Sequence, residues 1–257
     1  MRHMTIDRTL LGTFLPIAFL AVSPAAAKAA CQRQSFEDSS YIVCDFHLAT
    51  DDLRTFWRGP DDRPYATFDA LADDLAAKDK TLVFAMNGGM YGDDLSPIGL
   101  YIEGSRELHP VNTATSTERP APNFYKKPNG VFLVANGAAM VMTTEDFLKE
   151  APSADFATQS GPMLVIDGAL HPAFIPGSDS VKERNGICAP VPDRVTVAIT
   201  EGGVNFHDFG RFFRDRLGCD NALFLDGGSA PGIYSPELGR DDPPAHGGYG
   251  PIIAVVE

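Results

Sequence analysis

Asn221-Ala222-Leu223-Phe224-Leu225-Asp226-Gly227-Gly228-Ser229 is a short apolar run that stops at a carboxylate, two glycines and a serine. The apolar part is too short for a helix of its own and reads as a buried strand. Asp226 then stands at the carboxyl end of a core strand, where α/β proteins gather their ligands. Gly227 and Gly228 permit positive φ and let a ligand approach bare backbone, and the Ser229 hydroxyl can donate or accept. Alone, the same letters also describe an ordinary Asp-Gly turn.

A second stretch repeats the pattern. Residues 81–86 (TLVFAM) are apolar and run into Asn87-Gly88-Gly89. If both strands lie parallel in one sheet, Asn87 and Asp226 open into the same crevice, with Gly88 and Gly89 beside them. Helical spacing appears at Phe68, Leu71, Leu75 and Ala76 behind a Thr67 cap. It recurs at Phe206, Phe209, Phe213 and Leu217 behind Asn205, with Phe212 alongside and Gly218 as the stop. Residues 41–48 and 53–58 read as two arms of a hairpin, as do 99–103 with 106–108, and 130–134 with 138–142 around Asn136-Gly137. Thr144 caps a short helix, and further strands fall at 163–166, 195–200 and 252–256. The reading is an α/β (α+β) fold: one domain with a mixed β-sheet flanked by helices, and a site at the strand ends.

Composition narrows the function. The net charge is −13 at pH 7, which argues against nucleic acid and anionic membranes and makes any anionic substrate depend on local basic residues. The first residues have the form of a secretory signal peptide over 1–29: Arg2 and Arg8, an apolar run over 10–22, then Ala25-Ala26-Ala27. The expected domain is 31–257, exported to the periplasm or secreted, with no transmembrane anchor after processing. Lys28-Ala29-Ala30 before Cys31 is a poor lipoprotein signal. The four cysteines suit disulfides in an oxidising compartment. Three pairings are possible; Cys31 with Cys44, which leaves Cys188 with Cys219, is favoured. No CxxC spacing suggests zinc.

The remaining candidates are scattered. Gln159, Ser160 and Gly161 precede the strand at 163–166, and the two polar side chains could meet sugar hydroxyls. Arg184, followed by Asn185, is the best anion ligand by chemistry, because a guanidinium grips phosphate bidentately. Asp208 falls in the first turn of the 204–217 helix, where the dipole favours an acid. Lys126 and Lys127 end a long polar loop over 111–127 and can offer charge to an anion. His246 lies in a glycine- and proline-rich segment from which it could reach a site. There is no nucleophile elbow, P-loop or dinucleotide fingerprint.

In order, the chain carries Asn87-Gly88-Gly89, Asn123-Phe124-Tyr125 with Lys127-Pro128-Asn129-Gly130, Thr158-Gln159-Ser160-Gly161-Pro162, Arg184-Asn185-Gly186, and Leu225-Asp226-Gly227-Gly228-Ser229. That ordered set resembles the phosphodiester glycosidase domain family from about residue 87 to 257. The resemblance implies a strand-end cleft and hydrolysis of a sugar 1-phosphodiester to free sugar and phosphomonoester, with no cofactor or obligatory metal. Carried over by position, Asn87, Arg184 and Asp226 are the central residues, with Asp208 as candidate second carboxylate. Gly88, Gly89, Gln159, Ser160, Gly161, Asn185, Gly227, Gly228 and Ser229 line the site. Its partner would be a carbohydrate phosphodiester or cell-envelope glycan. Two departures stand out: Ser229 where the family often has a further glycine, and Cys188 where glycine is common, which supports the Cys188–Cys219 bridge. The competing readings are a non-catalytic polysaccharide-binding module and a phosphodiesterase attacking phosphorus.

Overall fold

The computed structural model describes residues 30–257, together with Met1 and His3; the expected signal peptide lies outside the described residues. The chain opens with β1 (Ala30–Phe36), β2 (Ser39–His47) and β3 (Asp52–Phe56), then α1 (Phe68–Ala76) and β4 (Leu82–Asn87). Two hairpins follow, β5 (Tyr101–Glu103) with β6 (Arg106–His109), and β7 (Gly130–Ala135) with β8 (Ala138–Thr143). Next come α2 (Thr144–Glu150), β9 (Phe156–Ser160), β10 (Met163–Ile166) and β11 (Ala169–Leu170). The last third holds β12 (Arg184–Val191), β13 (Arg194–Thr200), α3 (Phe206–Arg211), β14 (Ala222–Gly227), β15 (Ile233–Ser235), β16 (Arg240–Asp241) and β17 (Ile252–Val256).

The strands form three sheets, ordered β1-β2-β13-β12-β14-β10-β11, β16-β15-β4-β17-β3 and β6-β5-β9-β7-β8. The class is α+β in one domain, as expected, although every pairing between these strands is antiparallel rather than mixed. The parallel relation of β4 to β14 is therefore corrected: they lie in different sheets. The hairpin of 41–48 with 53–58 is corrected too. β2 pairs with β1 and β13, and β3 pairs with β17. The link between them is a turn, in which Asp51 Oδ2 accepts from His47 N at 2.7 Å and the Thr50 and Asp51 amides bond the His47 carbonyl. That turn sends the chain into the second sheet.

The main core lies between sheets and is filled by Phe46, Phe84, Phe132, Leu223, Leu225 and Ile253 among others. A second core packs α3 against β12, β14 and β10 through Phe209, Phe212, Phe213 and Phe224. α3 starts at the expected cap, with Asn205 accepting from Asp208 N at 2.9 Å, and continues as a π-turn over Phe212–Arg216 before Gly218 at φ 70°. Thr67 caps α1 as expected. The cap of α2 is Thr143, one residue before the expected Thr144. Both favoured disulfides are present, Cys31–Cys44 and Cys188–Cys219.

Candidate active site

Three side-chain hydrogen bonds sew the three sheets together at one point. Asn185 of β12 donates Nδ2 to Asn87 Oδ1 of β4 at 2.6 Å. Thr158 of β9 donates its hydroxyl to the Gly88 carbonyl at 2.8 Å. Ser160, also of β9, donates to the Leu225 carbonyl of β14 at 2.7 Å. Asn87 and Asp226 do meet, through Asn185, although their strands belong to different sheets.

A β-bulge sets Asp226. Asn185 pairs with Asp226 but the next residue, Gly186, pairs with Phe224, so Leu225 is the extra residue. Bulges twist a strand and re-aim its side chains beside functional sites. The carbonyl of the bulged residue accepts from the Ser160 hydroxyl. Asn185 Oδ1 accepts the Asp226 amide at 2.9 Å, so one amide side chain holds both strand ends.

The Asp226 carboxyl is half-buried and takes one hydrogen bond, from the Gly227 amide at 2.8 Å. Burial pushes its pKa up to about 7, against the lowering effect of that single donor. Tyr91 stands close enough to feel its charge: burial first, then Asp226, push the phenol up to about 12. The Tyr91 hydroxyl is buried without a partner, and so is Asn87 Nδ2. The Asn87 amide is fixed in this orientation because its Oδ1 accepts from both Asn185 Nδ2 and the Gly232 amide at 3.1 Å. Two unspent donors therefore accompany the carboxyl. Tyr91 had only its place after a strand-end loop to mark it in the sequence, which is too common a signal to single it out.

The other candidates have structural contacts of their own. Gln159 is 2% exposed and spends its amide on Leu100 N, Asn112 N, Asn112 O and Thr144 Oγ1. Ser160 donates to the bulge. Gly88 donates to the Pro251 carbonyl at 2.6 Å, and a side chain at Gly89 would meet Thr158 Oγ1. Gly161 packs on Asn129, leaving no room for a Cβ. Gly227 is similarly close-packed, against the Glu183 carbonyl and the Phe224 ring, while Gly228 takes φ 78°. Asp208 makes its side-chain contacts within the start of α3. Its oxygens are held by Asn205 Nδ2 at 2.7 Å and His207 Nδ1 at 3.0 Å, and no carboxylate acts on Asp226.

Arg184 is 1% exposed rather than open to solvent. Nε donates to the Val204 carbonyl at 2.6 Å and Nη2 to the Ser180 carbonyl at 3.0 Å. Burial lowers its pKa to about 10. Ser229 lies at the surface with its hydroxyl 2.6 Å from His246 Nε2. His246 in turn borders a cleft of about 700 Å³ lined by Pro60, Tyr65, Asp93 and Leu95. None of the Asp226–Asn185–Asn87 group lines that cleft, so the chemistry is assigned from the polar network and not from cavity size.

A family model for phosphodiester glycosidases matches residues 80–251. The uncharacterized Escherichia coli (strain K12) protein YigE is 31% identical over 178 residues, 69% of this chain and 68% of YigE. The fold is shared with the zebrafish N-acetylglucosamine-1-phosphodiester alpha-N-acetylglucosaminidase catalytic domain, auto-inhibited by its pro-peptide. That likeness has TM-score 0.61 and 13% identity over 91% of this chain and 84% of that one. A protein of Burkholderia pseudomallei K96243 described as a candidate exported protein shares it at TM-score 0.53 and 10% identity, over 84% of this chain and 74% of that one. The matched segment takes in Asn87, Arg184, Asn185 and Asp226, and the chain belongs to the phosphodiester glycosidase family.

Proposed function

We propose that the protein is an exported hydrolase that cleaves a sugar 1-phosphodiester, releasing free sugar and a phosphomonoester. The observation that carries this is Asp226: a half-buried carboxyl poised near pH 7, on a bulged strand end, with two unspent donors nearby. Breaking an anomeric C–O bond passes through an oxocarbenium-like state, which a carboxylate at the anomeric centre stabilises. A phosphomonoester leaves with the electron pair of the broken bond and needs no strong acid to help it. One carboxylate without a carboxylic partner suits that demand. Asp226 acts as nucleophile or general base, and water's oxygen ends on the anomeric carbon. Asn87 Nδ2 and the Tyr91 hydroxyl bind substrate oxygens. The disulfides suit export.

The test is release of reducing sugar from a panel of sugar 1-phosphodiesters in ¹⁸O-labelled water, with Asp226→Asn alongside. Label in the sugar, and no turnover by the variant, is the expected result. Label in the phosphate means attack at phosphorus. Glycan binding without product means a binding module.

A further inference from the structure

Asp226 has no cation acting on it, so the phosphoryl group of the proposed substrate must find its charge partner elsewhere. Two cations gather where β12 begins, beside the end of β14. Arg184 pairs with Gly227 across the ladder. Its guanidinium lies over the Phe206 ring at 3.6 Å, and Nη1 makes no hydrogen bond among the described residues. Lys126 Nζ stands 5.1 Å from the same ring, anchored by Asn123 Oδ1 at 2.9 Å. Neither cation has a carboxylate partner among the described residues.

The neighbourhood is short of negative charge. Burial, and after it the charge of Arg184, lower the Lys126 pKa. Phe174 stacks on Phe206, and His171 stacks on Phe174. His171 is 2% exposed, and its Nε2 has no hydrogen-bond partner. Burial lowers the His171 pKa most; the Lys127 backbone works against it, and the charge of Lys126 lowers it a little further. Two like charges held close and partly out of water cost free energy unless an anion joins them. An aromatic face recovers only a small part of that cost.

We propose that Lys126 and Arg184 form an oxyanion site against Phe206, and that it holds the phosphoryl group of the substrate. The second clause rests on the sugar 1-phosphodiester reading; the first stands without it. Lys126 supplies a movable point charge and Arg184 a fixed one, with Nη1 as the free donor. Asp226 and this cradle then divide the substrate between them, carboxyl to the sugar and cations to the phosphate.

The experiment is calorimetric titration of the purified protein with inorganic phosphate at low salt, beside Lys126→Met and Lys126→Arg. Lys126 is only half-buried, so its replacement leaves the core intact, whereas an Arg184 variant risks misfolding. Wild type binds phosphate, Lys126→Met binds about tenfold or more weakly, and Lys126→Arg recovers much of the loss. Equal phosphate affinity in wild type and Lys126→Met overturns the site. KM for an active phosphodiester should rise in Lys126→Met while kcat changes less; an unchanged KM overturns the assignment to substrate. Lys126-dependent phosphate binding with no sugar released from any diester upholds the anion site and removes the proposed reaction.

Discussion

Asp226 keeps its proton up to about pH 7 because the half-buried carboxyl loses more hydration than the single Gly227 amide returns. Unfolded, the same group ionises near 3.8. Between those values the native state holds a proton that the unfolded state has released, so stability falls as pH rises through the window. Above it the full cost applies, at most about 4 kcal/mol. Asp226→Asn keeps the shape and the acceptor while removing the ionisation. The variant should therefore melt higher than wild type at pH 8 and together with it below pH 4, in paired calorimetric scans; coincident melting at pH 8 would deny the desolvation. Under the proposed reaction the same group sets the activity profile. A nucleophile or base must be ionised, so kcat/KM should fall about tenfold per unit below pH 7 and level off above it. A profile flat from pH 5 to 8 would remove Asp226 from that role. At this scale the sequence exposed Asp226 and Asn87, because a polar residue closing an apolar run is a visible discontinuity. It hid Asn185 as the link between them and hid the burial of Arg184, since both depend on partners far away in the chain.

β14 with its bulge is the element on which the site turns. Leu225 is the extra residue, and Ser160 of β9 satisfies its carbonyl from another sheet. Ser160→Ala removes the hydroxyl bonded to that buried carbonyl, which costs about 1–3 kcal/mol. We expect a lower melting temperature and reduced kcat, with KM little changed; a large KM increase at unchanged stability would return Ser160 to the role of sugar ligand. The hairpins at 99–108 and 130–142 were readable because their signals are local. Asn136 and Gly137 take φ 52° and 74°, and Asp167 and Gly168 take 47° and 77°, as their turn chemistry asks. Sheet membership was not readable. Nothing local in 41–58 tells β2 to pair with β13 and β3 with β17, because those choices rest on residues more than a hundred positions away.

Across the whole molecule, the two disulfides act at different places. Cys188–Cys219 spans 31 residues and ties β12 to the segment behind α3, whereas Cys31–Cys44 spans 13 and fastens β1 to β2. Loop-closure entropy gives roughly 4 kcal/mol for the longer and 3 for the shorter. Paired Cys→Ala variants should rank in that order by denaturant midpoint, with phosphodiester hydrolysis more sensitive to loss of the Cys188 bridge, since β12 carries Asn185. The reverse ranking would show that strand β1 matters more than the closed loop. β17 has a further consequence. It lies between β4 and β3, and Ile252 pairs with Asn87, 165 positions earlier. A chain leaving the ribosome thus holds the strand of Asn87 with one edge open until residues 252–256 have been made. Synthesis and assembly are therefore separated in time, and the second sheet of this topology cannot lock until the chain is all but finished.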